Sequence, residues 1–317
     1  MFNKKRVFIT DFIGLSNRLE SLTLAAAIQQ AYGHEVVVQW PEQDSLEIEG
    51  VRQAPLRWWH RPGSVKVRDC SLEQFEALSH HNTIILRGLF GPESLMAPLY
   101  LEVAERIRLK EALANDLIER LSPFTHRPVV GVHIRRGDFR LQDEKVYDAA
   151  AVRHPAVPLW WYERTMERIV SEQKETLFFL SCSGNPESFK RLRENFDIIE
   201  TTVPSPYGYK GEGHQSKWHP VVDLFTLACC PTILATPISS FSHFAANALG
   251  GPTTTLLPPL KMAQNEPHRF DRFDLYGQLL PHWVKLCRGE TVRESTPNTP
   301  VPSPASFSLS WLKKSGM

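Results

Sequence analysis

The stretch best suited to chemistry is Val129-Val130-Gly131-Val132-His133-Ile134-Arg135-Arg136-Gly137-Asp138, where an apolar run ends in a histidine, two arginines, a glycine and an acid. A guanidinium presents a planar fork of donors that suits phosphate or carboxylate, and its charge-assisted hydrogen bonds are worth about 1.5–3 kcal/mol each. Strand side chains alternate, so Arg135 and Arg136 are expected to point opposite ways, one into a cleft and the other bracing it. The same residues would also make an ordinary ion pair at a strand end, with Asp138 as partner. Arg136-Gly137-Asp138 spells an adhesion tripeptide as well, a role that the root of a strand in a cytosolic chain does not favour.

Two further stretches carry chemistry of a related kind. In Thr232 to Gly251 a short strand runs into the hydroxyl-rich turn Ser239-Ser240-Phe241-Ser242, and an alanine-rich helix follows, stopped by Gly250 and Gly251. Unpaired N–H groups and the positive end of the dipole make such a helix start an anion site, although Ser239 or Ser240 would equally serve as a plain cap. The third stretch is Gly14-Leu15-Ser16-Asn17-Arg18, a glycine turn leading into a helix. Neither the dinucleotide glycine fingerprint nor a phosphate loop with its lysine occurs anywhere.

The elements that position these stretches alternate. Val7 to Thr10 reads as a buried strand, and Asn17 to Tyr32 as a helix with Asn17 and Glu20 as a capping box and Gly33 as its stop. Glu35 to Trp40 is a second strand, so a parallel sheet with right-handed crossovers is predicted. Thr83 to Leu86 is a strand candidate, preceded by the unusual run Arg57-Trp58-Trp59-His60-Arg61, and Leu101 to Leu121 carries a long amphipathic helix. Strand and helix patterns alternate again from Val129 to Leu249. The expected organisation is α/β: residues 1–122 as an N-terminal Rossmann-like domain, 123–290 as a second such domain carrying the arginine and serine stretches, and 291–317 as a mobile tail rich in proline, serine and threonine.

Composition excludes several classes of partner. With 36 Lys and Arg against 35 Asp and Glu, the formal charge of +1 gives no electrostatic basis for wrapping nucleic acid. The five cysteines show no zinc-ligand spacing, and no Asp-x-Asp stands ready to hold a divalent metal against a diphosphate, so no metal or other cofactor is expected. No apolar run approaches about 18 residues. A transmembrane segment is therefore not expected, and the location inferred is cytoplasmic.

Together these stretches resemble the fucosyltransferase-like glycosyltransferases, the group of α-1,2- and α-1,6-fucosyltransferases and protein O-fucosyltransferases. Gly14-x-x-Asn17, His133-x-Arg135-Arg136-Gly137-Asp138 and Ser239-Ser240-Phe241-Ser242 with Ala245 and Leu249 match in order and spacing over roughly residues 5 to 250. The resemblance implies two facing Rossmann-like domains of GT-B type, residues 1–122 on the acceptor side and 123–290 binding the nucleotide sugar, and metal-independent, inverting transfer of fucose from GDP-fucose. The acceptor would be a glycan, a lipid-linked sugar or a small metabolite. It also implies that Arg135 contacts the β-phosphate, Arg136 holds the loop, His133 and Asp138 shape the nucleotide site, the serine-led helix holds the pyrophosphate, and Asp223 lies near the nucleotide. The base that accepts the acceptor proton would be Asp143, at the position of an α-1,6-fucosyltransferase glutamate, with Glu144, Asp148 and Asp11 as rivals. Tyr147, His154, Trp160 and Trp161 are candidates for an acceptor platform. Cys182-Ser183-Gly184-Asn185 departs from the acidic loop of many relatives, and His243-Phe244 from the two tryptophans of many α-1,2 enzymes. A non-catalytic GDP-sugar or glycan binder, or a sulfotransferase, are the alternatives; the latter would need the missing phosphate-loop lysine.

Overall fold

The computed structural model describes residues 4–206, 219–279 and 292–313. The chain divides into two compact units, Met1–Leu113 with Gly277–Pro281, and Ala114–Tyr276 with His282–Met317. This division comes before the boundary expected at 122.

In the first unit the order is β1 (Arg6–Thr10), α1 (Leu15–Tyr32), β2 (Glu35–Gln39), β3 (Leu46–Ile48), β4 (Val51–Gln53), β5 (Val65–Val67), α2 (Leu72–Ala77), β6 (Thr83–Leu86), α3 (Glu93–Met96), α4 (Tyr100–Glu105) and β7 (Ile107–Leu109), with α5 (Glu111–Leu121) next. A five-stranded, all-parallel sheet runs β4-β2-β1-β6-β5. The first helix stops where the sequence predicts: Gly33 is left-handed, with φ of 72°, and its N–H donates to Gln29 O. The expected capping box does not form, because Gly14 is the N-cap and Asn17 already lies inside the first turn.

The long helix expected from Leu101 to Leu121 is interrupted. Ile107 and Leu109 alternate with Arg108 at the strand period, and β7 pairs antiparallel with β3. Burial of Ile107 and Leu109 in this separate two-stranded ribbon outweighs helical propensity there.

The second unit holds β8 (Val129–Ile134), β9 (Val146–Asp148), α6 (Leu159–Glu172), β10 (Leu177–Cys182), α7 (Lys190–Asn195), β11 (Ile198–Ile199), α8 (Pro220–Ala228), β12 (Thr232–Leu234), α9 (Ser240–Asn247), β13 (Thr254–Leu257), β14 (Lys261–Ala263), β15 (Asp271–Phe273) and β16 (Val292–Glu294). Its seven-stranded sheet runs β11-β10-β8-β12-β13-β15-β16, parallel through β13 and antiparallel for the last two strands. Both β8 and β10 are buried along their whole length, as expected for central strands covered on both faces. A Cβ at Gly131 would lie 2.9 Å from Leu227 Cδ2 and 3.3 Å from Cys230 Cβ, so glycine here lets α8 and the turn after it sit close against β8.

The expected mobile tail is corrected for its described residues. Strand β16 extends the sheet, Val301 and Phe307 are buried, and Trp311 stacks on Phe225 at 5.3 Å. Val129 N donates to Ala305 O at 2.8 Å, and Ser308 N to Cys229 O at 2.9 Å. Average composition hides the few well-spaced apolar residues that anchor this proline-rich segment. Cys287 lies outside the described residues. Cys229 and Cys230, expected as buried thiols, are both buried and burial raises their pKa values.

Candidate functional site

The centre of the second sheet reverses its winding between β8 and β12. From β8 the chain moves through β10 to β11 on one side, then returns to place β12 and β13 on the other. Open α/β sheets bind ligands beyond the carboxyl ends of their strands at such a switch point. The loop Arg135–Asp138 leaves β8 at that edge, and the turn Ala235–Ser239 leaves the neighbouring strand β12 at the same edge.

Thr236 ties the two loops together. Its Oγ1 accepts from Arg135 N at 3.0 Å, donates to His133 O at 3.0 Å and lies 2.9 Å from the Tyr162 hydroxyl. His133 stacks on Phe241 with ring centroids 5.2 Å apart, so the histidine that ends β8 touches the first turn of α9. Burial, with Arg135 second, pushes the His133 pKa down to about 3, so its ring is neutral at physiological pH.

The two arginines lie just past the end of β8, in the loop rather than the strand, and take different partners. The half-buried Arg135 is held by Asp138, with Nε donating at 3.0 Å and Nη2 at 2.9 Å from the same Oδ1, and its guanidinium lies 6.0 Å from the Phe139 ring. Arg136 meets no carboxylate among the described residues: Nη1 donates to Arg135 O at 3.2 Å and Nη2 to Val157 O at 2.9 Å. Burial lowers its pKa, yet a guanidinium stays charged. Ser183, at the carboxyl end of β10, closes the loop from below, its Oγ accepting from Arg136 N at 2.9 Å and donating to Arg136 O at 3.2 Å. Gly184 is required beside it, since its φ is +99° and a Cβ would stand 3.0 Å from Arg136 Cβ.

The serine turn is strained at one point. Ile238, a β-branched residue, has φ of 67° immediately before Ser239, the N-cap of α9. Such outliers concentrate at binding sites. Ser239 makes no side-chain cap bond, and Ser242 Oγ and His133 Nδ1 are buried without a hydrogen-bond partner among the described residues. Side-chain capping is therefore not the role of Ser239.

Asp223 is fully buried in α8, where its two oxygens meet Ser181 Oγ at 3.1 Å and Thr201 Oγ1 at 2.7 Å. Burial raises its pKa to about 7. It joins α8 to β10 and to the segment after β11, one residue before Thr202 with its positive φ.

The acceptor-side candidates are scattered. Asp143 is exposed and its Oδ1 accepts from Lys145 N at 2.6 Å and Val146 N at 3.3 Å, which shapes the loop into β9. Glu144 offers its carbonyl to Trp160 Nε1, and Asp148 pairs with Lys261 at 3.3 Å. Tyr147 is corrected: β9 turns it into the core cluster with Trp160, Trp161 and Met262, so none of these rings forms an open platform. His154 is half-buried and stacked on Phe139 at 5.3 Å. In the first unit, Asp11 is exposed and holds Arg18 at 2.6 Å, while Gly14 and Asn17 open α1.

Sequence reasoning overlooked Thr236, Tyr162, Ser181, Ser183 and Thr201. Thr236 and Ser183 each follow a strand end, where a hydroxyl can reach the neighbouring loop's backbone, and that is the signal that marks them.

No family model and no curated protein matches the chain. Solved structures do. A fucosyltransferase NodZ from Bradyrhizobium aligns with a TM-score of 0.52 at 16% identity, over 82% of this chain and 99% of that one. A NodZ α-1,6-fucosyltransferase soaked with GDP-fucose gives 0.52 at 18% identity, over 86% and 100%. The chain has a fucosyltransferase-like fold. An Arabidopsis thaliana FUT1 variant in complex with GDP gives 0.52 at 11% identity, over 86% of this chain and 76% of that one.

Proposed function

We propose that the protein is an inverting, metal-independent glycosyltransferase of GT-B type that moves fucose from GDP-fucose to a hydroxyl of a glycan or small-molecule acceptor. The observation that carries this reading is the meeting of the Arg135–Asp138 loop and the serine-led start of α9 at the switch point, in a fold shared with solved fucosyltransferases, one of them soaked with GDP-fucose.

As GDP departs, negative charge grows on the β-phosphate. In this reading Arg135 exchanges part of its pairing with Asp138 for that phosphate. Arg136, held by two backbone carbonyls and by Ser183, keeps the loop in place, and the N–H groups at the start of α9 face the pyrophosphate. Asp223 fixes the neighbouring β10 edge. Donors held in advance do not reorganise as charge develops, which is why losing one lowers rate by about 10²–10³-fold. Asp143 accepts the acceptor proton, and its place in an exposed loop leaves Oδ2 outside the hydrogen bonds that Oδ1 makes.

Purified protein is assayed for GDP release from GDP-fucose and for GDP affinity. Arg135→Ala is expected to lower turnover by about two to three orders of magnitude and to weaken GDP. Unchanged turnover and unchanged GDP affinity would refute the reading. Asp143→Asn keeps an acceptor oxygen for Lys145 N and Val146 N but no base, so a loss of transfer with retained GDP binding separates the proton transfer from the loop geometry. Full transfer by this variant would move the base elsewhere.

A further inference from the structure

A second concavity lies in the first unit and serves nothing described so far. It has a volume of about 930 Å³, at the upper end of small-ligand pockets, and Lys4, Arg6, Arg52, Arg57, Trp59 and His60 are among its lining. Strand alternation and register put Arg6 and Phe8 on one sheet face with Glu35, Val37 and Arg52 beside them. Lys4, Arg6 and Thr83 place it toward the amino ends of β1 and β6, opposite the edge where β1 leads to Gly14.

Its charge is strongly one-sided. Three cations share the single carboxylate of Glu35: Lys4 at 2.8 Å, Arg6 at 3.2 Å and Arg52 at 3.6 Å. Arg57 adds a fourth positive charge, and no acidic residue lines the recess among the described residues. Trp59, which lines the recess, is 54% exposed, and Trp58 beside it in sequence is 75% exposed. The two indoles stand edge to face at 5.6 Å, and Arg57 lies over Trp59 at 5.6 Å. Below them His60 anchors the turn, its ring tilted against Phe8 with centroids 5.0 Å apart and its Nδ1 accepting from Arg57 N at 3.1 Å.

We infer that this recess binds an acidic oligosaccharide. The apolar face of a pyranose packs on an exposed indole, while a carboxylate or sulfate on the ring meets the arginine forks. Asn82 and Thr83 supply polar edges for hydroxyls. A nucleic acid would need a continuing basic track, and the four lysines and arginines of this recess, in a chain of net charge +1, form a local cluster instead. A membrane surface would meet exposed tryptophans but not cations set inside a concavity. The inference is independent of the donor site, which lies in the other unit.

The test is titration of the full chain at low ionic strength with oligogalacturonate and a heparin oligosaccharide, which separate carboxylate from sulfate, beside uncharged chitooligosaccharide of equal length, oligo-dT and anionic phospholipid vesicles. Binding of at least one acidic saccharide is expected, weakened about tenfold or more by Trp59→Ala and by the double variant Arg52→Glu with Arg57→Glu, and weaker by a similar factor for the uncharged sugar. Both variants change exposed side chains, and unchanged thermal midpoints confirm folding; should one fail to fold, the other carries the test. The inference is overturned by no binding of either acidic saccharide, by equal binding of the uncharged sugar, by insensitivity to a folded variant, or by tighter binding of oligo-dT or vesicles. Loss of fucose transfer with this binding intact would refute the glycosyltransferase reading alone.

Discussion

Asp223 allows a quantitative test of how this protein keeps an acid at the base of its candidate donor site. Its folded pKa of about 7 stands above the ordinary aspartate value of 3.8, with burial as the main cause, opposed by the bonds to Thr201 and Ser181. The unfolded chain ionises first as pH rises, so this group contributes most favourably below the unfolded value and stability falls through the interval up to the folded pKa. At 1.36 kcal/mol per pKa unit, the difference amounts to about 4 kcal/mol at pH 8 and about 2 kcal/mol at pH 5. Asp223→Asn removes the titration and nearly preserves the shape: Oδ1 still accepts from Thr201 Oγ1, and at the position of Oδ2, which accepts from Ser181 Oγ, the amide donates to that hydroxyl instead. The variant is therefore expected to gain on the parent by about 2 kcal/mol more at pH 8 than at pH 5. Urea unfolding followed by tryptophan fluorescence at several pH values checks this, and subtracting the two curves cancels the opposite titration of His133 and the parallel one of Asp271. A difference that does not vary with pH, or a variant less stable than the parent at pH 8, would refute the account of Asp223 as a buried, largely protonated clamp.

Three further outcomes follow from packing and charge. Gly131→Ala would drive a methyl against Leu227 and Cys230, so a loss of about 1–3 kcal/mol is expected in thermal or urea unfolding. Glu42→Ala leaves Arg18, only 3% exposed, without its two short bonds of 2.7 and 2.9 Å, and about 3–5 kcal/mol should be lost, whereas Asp11→Ala removes an exposed partner and should cost under about 1 kcal/mol. Thr236→Val takes away the acceptor of Arg135 N and a donor to His133 O, so a destabilisation of about 1–3 kcal/mol together with weaker GDP binding is expected, and a variant that keeps its GDP affinity would show that the two loops hold their geometry without that hydroxyl.

Local pattern was enough for much of this molecule. Continuous apolar runs identified β1, β2, β6, β8 and β10, because strands buried on both faces need no alternation. The motif His133 to Asp138 stood out because its residue types are costly to place at a strand end without a purpose. Tertiary structure decided what depends on partners distant in sequence. Whether Ile107 to Leu109 continued a helix or made a strand was settled by β3, some sixty residues earlier. Whether the proline-rich segment after residue 291 was anchored depended on β15, Cys229 and Phe225. Tyr147 was a ring in a loop until β14 paired with β9 and turned it inward. The arginine loop, too, became a site only when β12 was laid beside β8, bringing Thr236 to Arg135 across 101 positions of chain. Sequence carries the chemistry of each segment, and strand order, which is a property of the whole sheet, decides which segments meet.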